Sequence, residues 1–199
     1  MAVRFLFFVG CAGCVTPVTP GSHKGDGGAG ADTSTAWMSP STAPTASGET
    51  SRVELVDADA WTVRAPEMDL FPDHRPEEVI CDGLGIHPED SAFEVETTYC
   101  NYASLEQVLS VGLPAGAQLE VLFSHGPLNW TEPTEAHAAL TFDGRVVWER
   151  FIPIPAEGWF YPDDVVLEEA VPKGATVTFH CHNHGSNSYR LYGVQWVTP

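Results

Sequence analysis

The densest run of metal-ligating side chains in this 199-residue chain is Thr178-Phe-His-Cys-His-Asn-His184. An extended strand turns successive side chains to opposite faces, so His180, His182 and His184 are expected on one face and Phe179, Cys181 and Asn183 on the other. Neighbours on that face sit about 6–7 Å apart along the strand. Two imidazoles at that spacing can converge on one ion, and imidazole suits Zn, Cu, Fe or Ni. His137 lies in another alternating run, on the opposite face from Ala136, Ala138 and Leu140, and is the remote candidate for a further ligand. The expected metal set is His180, His182, His184 and His137, with Zn or Cu as the ion. The competing reading is a polar strand face of hydrogen-bonded rings, followed by a turn at Asn183-His184-Gly185-Ser186-Asn187 in which Asn and Gly supply the dihedrals. Cys181 reads as a small buried apolar side chain rather than a thiolate ligand.

A second group of candidates is aromatic. Trp130, Trp159, Phe160 and Tyr161 stand in or beside segments rich in Pro, Gly and acidic residues. Exposed rings offer flat apolar faces on which a sugar or peptide can stack, so Trp159, Tyr161 and Trp130 are the expected ligand contacts. Their alternative use is to close the ends of a core. The acidic stretch from Glu67 to Asp90 has carboxylates suited to Ca²⁺ but not the spacing of an EF-hand loop, and reads as a solvated face. No Gly-x-Ser-x-Gly, phosphate-cradling glycine loop or His-Glu-x-x-His occurs. Paired acids such as Glu77-Glu78 and Glu168-Glu169 name no dyad, so the expected role is non-catalytic binding.

The elements that must position these residues are strands. Short apolar runs of period two recur after residue 52 at 52–57, 61–64, 92–100, 118–125, 136–142, 145–152, 164–169, 175–182 and 189–197. Turn residues separate them at intervals of about 8–12, and no 11-residue window carries a helical period. Asp143-Gly144 between two alternating runs is a hairpin signal. The segment from Pro66 to Pro76 reads as a loop despite Met68, Leu70 and Phe71. The expected fold is all-β: an antiparallel β-sandwich, jelly-roll-like. Leu113-Pro-Ala-Gly-Ala117 and Val171-Pro-Lys-Gly-Ala175 echo one another, each feeding an alternating strand that runs on to His-Gly.

Five cysteines are present. Cys81 and Cys100 are the expected disulfide in an oxidising compartment, which leaves Cys181 over. The formal charge of −18, from 27 acidic and 9 basic residues, excludes a nucleic-acid partner, because phosphate contact needs cations. The same charge repels anionic head groups, leaving covalent lipid as the route to a membrane.

Residues 1–14 begin with Arg4, continue through the apolar Phe5-Leu-Phe-Phe-Val-Gly10 and end in Cys11-Ala-Gly-Cys14. This resembles the bacterial lipoprotein signal, in which a cysteine after a small residue is acylated. Cys14 and Cys11 are the two candidates, and the longer apolar run before Cys14 favours it. Residues 15–51, mostly Gly, Ser, Thr, Pro and Ala, are expected to form a disordered tether, and 52–199 the sandwich domain. The expected location is the bacterial cell envelope, on the outer membrane or its periplasmic face, with membrane contact through the lipid.

The stretch from Val171 through His182-Asn-His-Gly-Ser-Asn187 to Trp196 resembles the closing strands of galactose-binding-like and carbohydrate-binding-module-like jelly rolls, and is similar to uncharacterised bacterial envelope lipoproteins. The resemblance implies a β-sandwich that binds a glycan or another envelope component. Gly174 followed by His180-Cys-His182 also resembles the opening of the first cupin motif, but the glutamate that motif requires is replaced by Ser186 or Asn187. The His-Cys-His triplet resembles part of a multicopper oxidase motif whose companion motifs are missing. Three roles stand from the sequence: an envelope binding module, a His-rich Zn or Cu domain of metalloenzyme type, and a structural envelope component.

Overall fold

The computed structural model describes residues 50–198. The expected signal, its candidate Cys11 and Cys14, and the tether lie outside the described residues, apart from Thr50 and Ser51 at the tether's end. Eleven strands follow: β1 Ser51–Glu54, β2 Thr62–Val63, β3 Ile86–Glu89, β4 Ala92–Glu96, β5 Tyr102–Val108, β6 Gln118–His125, β7 Thr134–Phe142, β8 Arg145–Ile154, β9 Trp159–Val166, β10 Thr176–His182 and β11 Ser188–Thr198.

They form two antiparallel sheets packed as a sandwich. The six-stranded sheet runs β3-β4-β11-β6-β9, with β1 also paired to β11, and the five-stranded sheet runs β2-β5-β10-β7-β8. Asp143 and Gly144 join β7 to β8 with φ of 47° and 80°. Positive φ at both central residues is the turn whose twist matches flanking antiparallel strands. The two echoed segments meet: Leu113 and Val171 exchange N–H···O bonds of 2.8 Å each way, which ties the loops before β6 and β10 together.

The inner faces supply the core. Ala103 and Leu105 from β5, Ala138 and Leu140 from β7, Phe179 and Cys181 from β10 face Val121 and Phe123 from β6 and Tyr189 from β11. Phe123 sits at the centre, with its ring centroid 5.3 Å from Trp148, 6.4 Å from Phe179 and 6.2 Å from Tyr189. Burying each such ring contributes about 2–3 kcal/mol. Among the described residues Cys181 is the free, buried cysteine, and burial pushes its thiol up, so it stays protonated. Cys81 and Cys100 are disulfide-bonded.

The sequence reading departs from the structure at three strands. Ile86–Glu89 and Tyr102–Val108 went unread, and β9 begins at Trp159 rather than at 164. Trp159, Phe160 and Tyr161 are therefore strand residues, not loop residues. Their Pro162 sits on a sheet edge, where a missing N–H leaves no ladder bond unmade.

Candidate functional site: a four-histidine cluster beneath a strap

An antiparallel sheet in a sandwich usually leaves its outer face wet. In β10 every residue from Val177 to Cys181 is buried, so both faces are covered. Val177, Phe179 and Cys181 face the core. Thr178 and His180 face outward with His182, beneath a strap formed by residues 64–75 that crosses the outside of the five-stranded sheet.

Polar anchors hold the strap down. At its start the Arg64 guanidinium donates to Glu106 at 2.7 Å, to Thr178 at 3.0 Å and to the Met68 carbonyl at 2.6 Å. In its middle the Asp69 carboxylate accepts from the Tyr102 hydroxyl at 2.7 Å, from Arg75 at 3.1 Å and from the Phe71 N–H at 3.0 Å. Burial would raise the Asp69 carboxyl, but these three donors outweigh it and hold the group below its ordinary range. Burial, then the Asp69 charge, push the Tyr102 phenol up, so it remains a donor.

Between those anchors Phe71 lays its ring on His180, with centroids 4.5 Å apart and planes 28° from parallel. Pro72 then opens a single 3-10 turn, Pro72–His74, because its fixed φ suits the first helical position. That turn delivers His74 to the sheet.

One nitrogen from each of His74, His137, His180 and His182 lies within 4.8 Å of all the others. The register explains the sheet's share: His182 is opposite His137, while His180 is opposite Ala139, whose small side chain leaves room. His137 Nδ1 is 3.2 Å from His74 Nδ1. The other nitrogen of His137, Nε2, meets the Glu149 carboxylate at 3.3 Å, and its ring stacks on Phe151 at 4.3 Å. A carboxylate behind an imidazole fixes the tautomer and raises the basicity of the free nitrogen, an arrangement typical of ligated histidine.

Burial keeps three of these rings, His137, His180 and His182, neutral. Burial holds the His180 imidazole well below its ordinary value, with His137 and His182 adding to the effect. Burial, then His74, bring His182 down to about 4. Burial lowers His137 against the opposing pull of Glu149. Neutral imidazoles present lone pairs without competition from protons. Both nitrogens of His180 and Nδ1 of His182 are buried with no hydrogen-bond partner. Each such orphan costs about 1–3 kcal/mol, and an ion held by His180 would relieve one of that ring's two. Tetrahedral Zn–N bonds of about 2.0–2.1 Å place nitrogens roughly 3.4 Å apart, so the rings would close in by about 1.5 Å at most.

Of the four histidines expected from sequence, the structure brings together His180, His182 and His137. His184 stands beyond the end of β10 in the turn, outside the group, because the strand's alternation stops at His182. His74 was missed, hidden in an acidic proline-rich segment. The signal that could have found it was the cluster Met68, Leu70 and Phe71, apolar groups that a wholly solvated loop would not carry.

The aromatic candidates divide. Trp159 is 63% exposed and Trp130 49% exposed. Tyr161 turns inward instead, sharing a hydrogen bond with His125 at 3.2 Å and stacking on Phe123. Phe160 and Tyr192 form an edge-to-face pair, centroids 5.6 Å apart, on the outside of the six-stranded sheet.

No family model matches the chain, and no curated protein matches it. Among solved structures the chain is similar to a CBM4 carbohydrate-binding module, at 10% identity over 71% of this chain and 89% of that one, with a TM-score of 0.45. It is similar also to a CBM61 module in complex with β-1,4-galactotriose, at 13% identity over 73% and 98% of the two chains, TM-score 0.39. An arabinose-bound GH51 α-L-arabinofuranosidase gives 9% identity over 72% of this chain and 26% of that one, TM-score 0.38. The two-sheet architecture itself is read from the strand pairing described above.

Proposed function

We propose that the domain is a non-catalytic metal-binding module that holds one Zn or Cu ion on His74, His137, His180 and His182. The observation that carries this reading is His180: a fully buried imidazole with neither nitrogen partnered, ringed by three more imidazole nitrogens within 4.8 Å. Glu149 behind His137 and the strap over His180 supply the orientation and dryness such a centre needs. Competition of the purified chain against a chromophoric chelator for Zn²⁺ and Cu²⁺ tests it. One tightly held ion per chain is expected, its tight binding lost in His180→Ala and in a His137→Ala/His182→Ala double variant. Binding no tighter than about millimolar, of order 4 kcal/mol, overturns it.

A second reading, glycan recognition in the envelope, is favoured by the exposed rings of Trp159 and Trp130 and by the Phe160–Tyr192 pair. Such faces stack on sugar rings. Binding on a glycan array, weakened in Trp159→Ala or Tyr192→Ala, is the expected outcome; an array with no signal removes this reading.

Attachment belongs to the same proposal. The apolar run ending at Cys11 and Cys14 supports export and acylation, with Cys14 as the anchor and the envelope as the location. Mass spectrometry of the mature N-terminus is expected to find an acylated cysteine, and an unmodified Met1 overturns it.

A further inference from the structure

The four-histidine cluster has one accessible side. His137 and His180 are buried, and His74 and His182 are half-buried. Phe71 covers His180 and Phe151 covers His137. An ion arriving from water therefore meets His74 or His182 first. Beside His182, on the solvent side, stands the exposed His184, with its ring centroid 5.9 Å from that of His182 and the two planes at 72°.

The turn that presents His184 is unusually well held. The Thr97 hydroxyl donates to the Gly185 carbonyl at 2.6 Å and accepts from Asn183 Nδ2 and from the Asn187 N–H, both at 2.9 Å. Asn187 donates from its amide to the His184 carbonyl at 3.2 Å and accepts from the Asn129 N–H at 2.8 Å. Thr97, Asn183 and Asn187 are all buried. Three buried polar side chains thus fix the backbone on either side of His184. Among the described residues the His184 imidazole makes no hydrogen bond and no ion pair. A ring so rigidly carried and so unengaged is available to a ligand.

We propose that His182 and His184 form an outer, two-imidazole capture site for the same divalent ion, and that His182, common to both sites, hands the ion inward to His74, His137 and His180. This rests on the inner centre proposed above. Two imidazoles whose ring centres lie 5.9 Å apart can chelate an aquated ion without burying it. Each inward step then exchanges a bound water, and finally the His184 nitrogen, for a nitrogen of the inner set. The formal charge of −18 raises the local cation concentration around such a surface ligand. The arrangement separates the two demands on a buried centre: inner nitrogens set how tightly the ion is held, and His184 sets how fast it arrives.

Stopped-flow loading of the metal-free full chain with Zn²⁺, followed by the inner-site affinity at equilibrium, tests this. His184→Ala is expected to slow loading by about tenfold, because a lone His182 loses the effective concentration a second imidazole supplies, while the final affinity stays within about twofold. His184→Asn, which keeps a polar turn residue, should behave alike, and equal thermal midpoints for both variants and wild type would exclude a folding defect. In His74→Ala/His180→Ala, where the inner set is broken, one weaker site should remain and vanish on adding His184→Ala. Wild type and His184→Ala loading at the same rate overturns the capture role. A loss of affinity in His184→Ala as large as in His180→Ala also overturns it, by making His184 an inner ligand. A wild type that takes up no Zn²⁺ overturns the inner centre, and the capture site with it.

Discussion

His74 Nδ1 and His137 Nδ1 approach to 3.2 Å although 63 residues separate them and only His137 belongs to a strand. Two like nitrogens at that distance either share one proton or face each other as lone pairs. That separation is close to the roughly 3.4 Å between two nitrogens on one tetrahedral ion, so this pair already stands at the spacing the proposed centre needs.

Replacing His180 separates its polar from its packing role. His180→Leu removes two buried, unpartnered nitrogens while keeping most of the volume under Phe71. The metal-free chain should change stability by no more than about 1 kcal/mol, because removing an orphaned polar group offsets the imperfect fit. Zn²⁺ at about 100 times its dissociation constant should raise the unfolding free energy of wild type by about 2.7 kcal/mol and that of the variant not at all. Urea denaturation with and without Zn²⁺ measures both.

Acid should weaken the metal-free domain through the same rings. His180, His182 and His137 all have folded values below the ordinary 6.5, so over the interval below 6.5 the unfolded chain binds more protons than the folded one. Unfolding free energy therefore rises with pH across that interval and levels off above about 6.5. For His182 the loss is complete only as pH falls through about 4. Denaturant midpoints at pH 5 and pH 7.5, with a chelator present, should be lower at pH 5; a higher midpoint at pH 5 contradicts the burial of neutral imidazoles.

The strap should matter more for the ion than for the fold. Tyr102→Phe removes the phenol that donates to Asp69, and Asp69→Asn weakens all three contacts of that carboxylate. Each is expected to cost about 1–2 kcal/mol of stability. Each should weaken Zn²⁺ affinity by about 10–100-fold by loosening His74, the range found when outer partners of metal ligands are removed. Chelator competition reads the second effect, and an unchanged affinity would show that His74 is not a ligand.

Gly185→Ala should damage the turn after β10. Gly185 has φ of +102°, and an added Cβ would sit 2.5 Å from the Asn129 carbonyl oxygen and 2.9 Å from the Trp130 ring. The left-handed backbone and the clash with main chain together cost about 2–4 kcal/mol. Thermal melting is expected to show the drop, and a midpoint within a degree or two of wild type would contradict this packing.

The sandwich was legible because most inward positions follow the two-residue period cleanly, as Leu119, Val121 and Phe123 do along β6. The strand Tyr102–Val108 escaped because its outward Tyr102 and Ser104 are buried beneath the strap, which blurs the contrast between its two faces. His180 and His182 were legible as neighbours because alternation along one strand is a local rule; His137 was legible only as facing away from Ala136, Ala138 and Leu140, and its place opposite His182 comes from long-range strand pairing. His74 was not, because its place depends on Asp69, Tyr102 and Arg64 drawing a segment without strand or helix period across a sheet. No spacing in the sequence encodes that crossing. Tyr161 was misjudged for a related reason: a ring beside Pro162 reads as surface until the strand it occupies is known to turn it inward.

Covering one outer face makes the sandwich sided. Residues 64–75 withdraw the middle of the five-stranded sheet from solvent, whereas the outside of the six-stranded sheet keeps Phe160 and Tyr192 exposed. Among the described residues the histidine cluster and this aromatic pair therefore lie on opposite faces of the sandwich, and neither shares surface with the other.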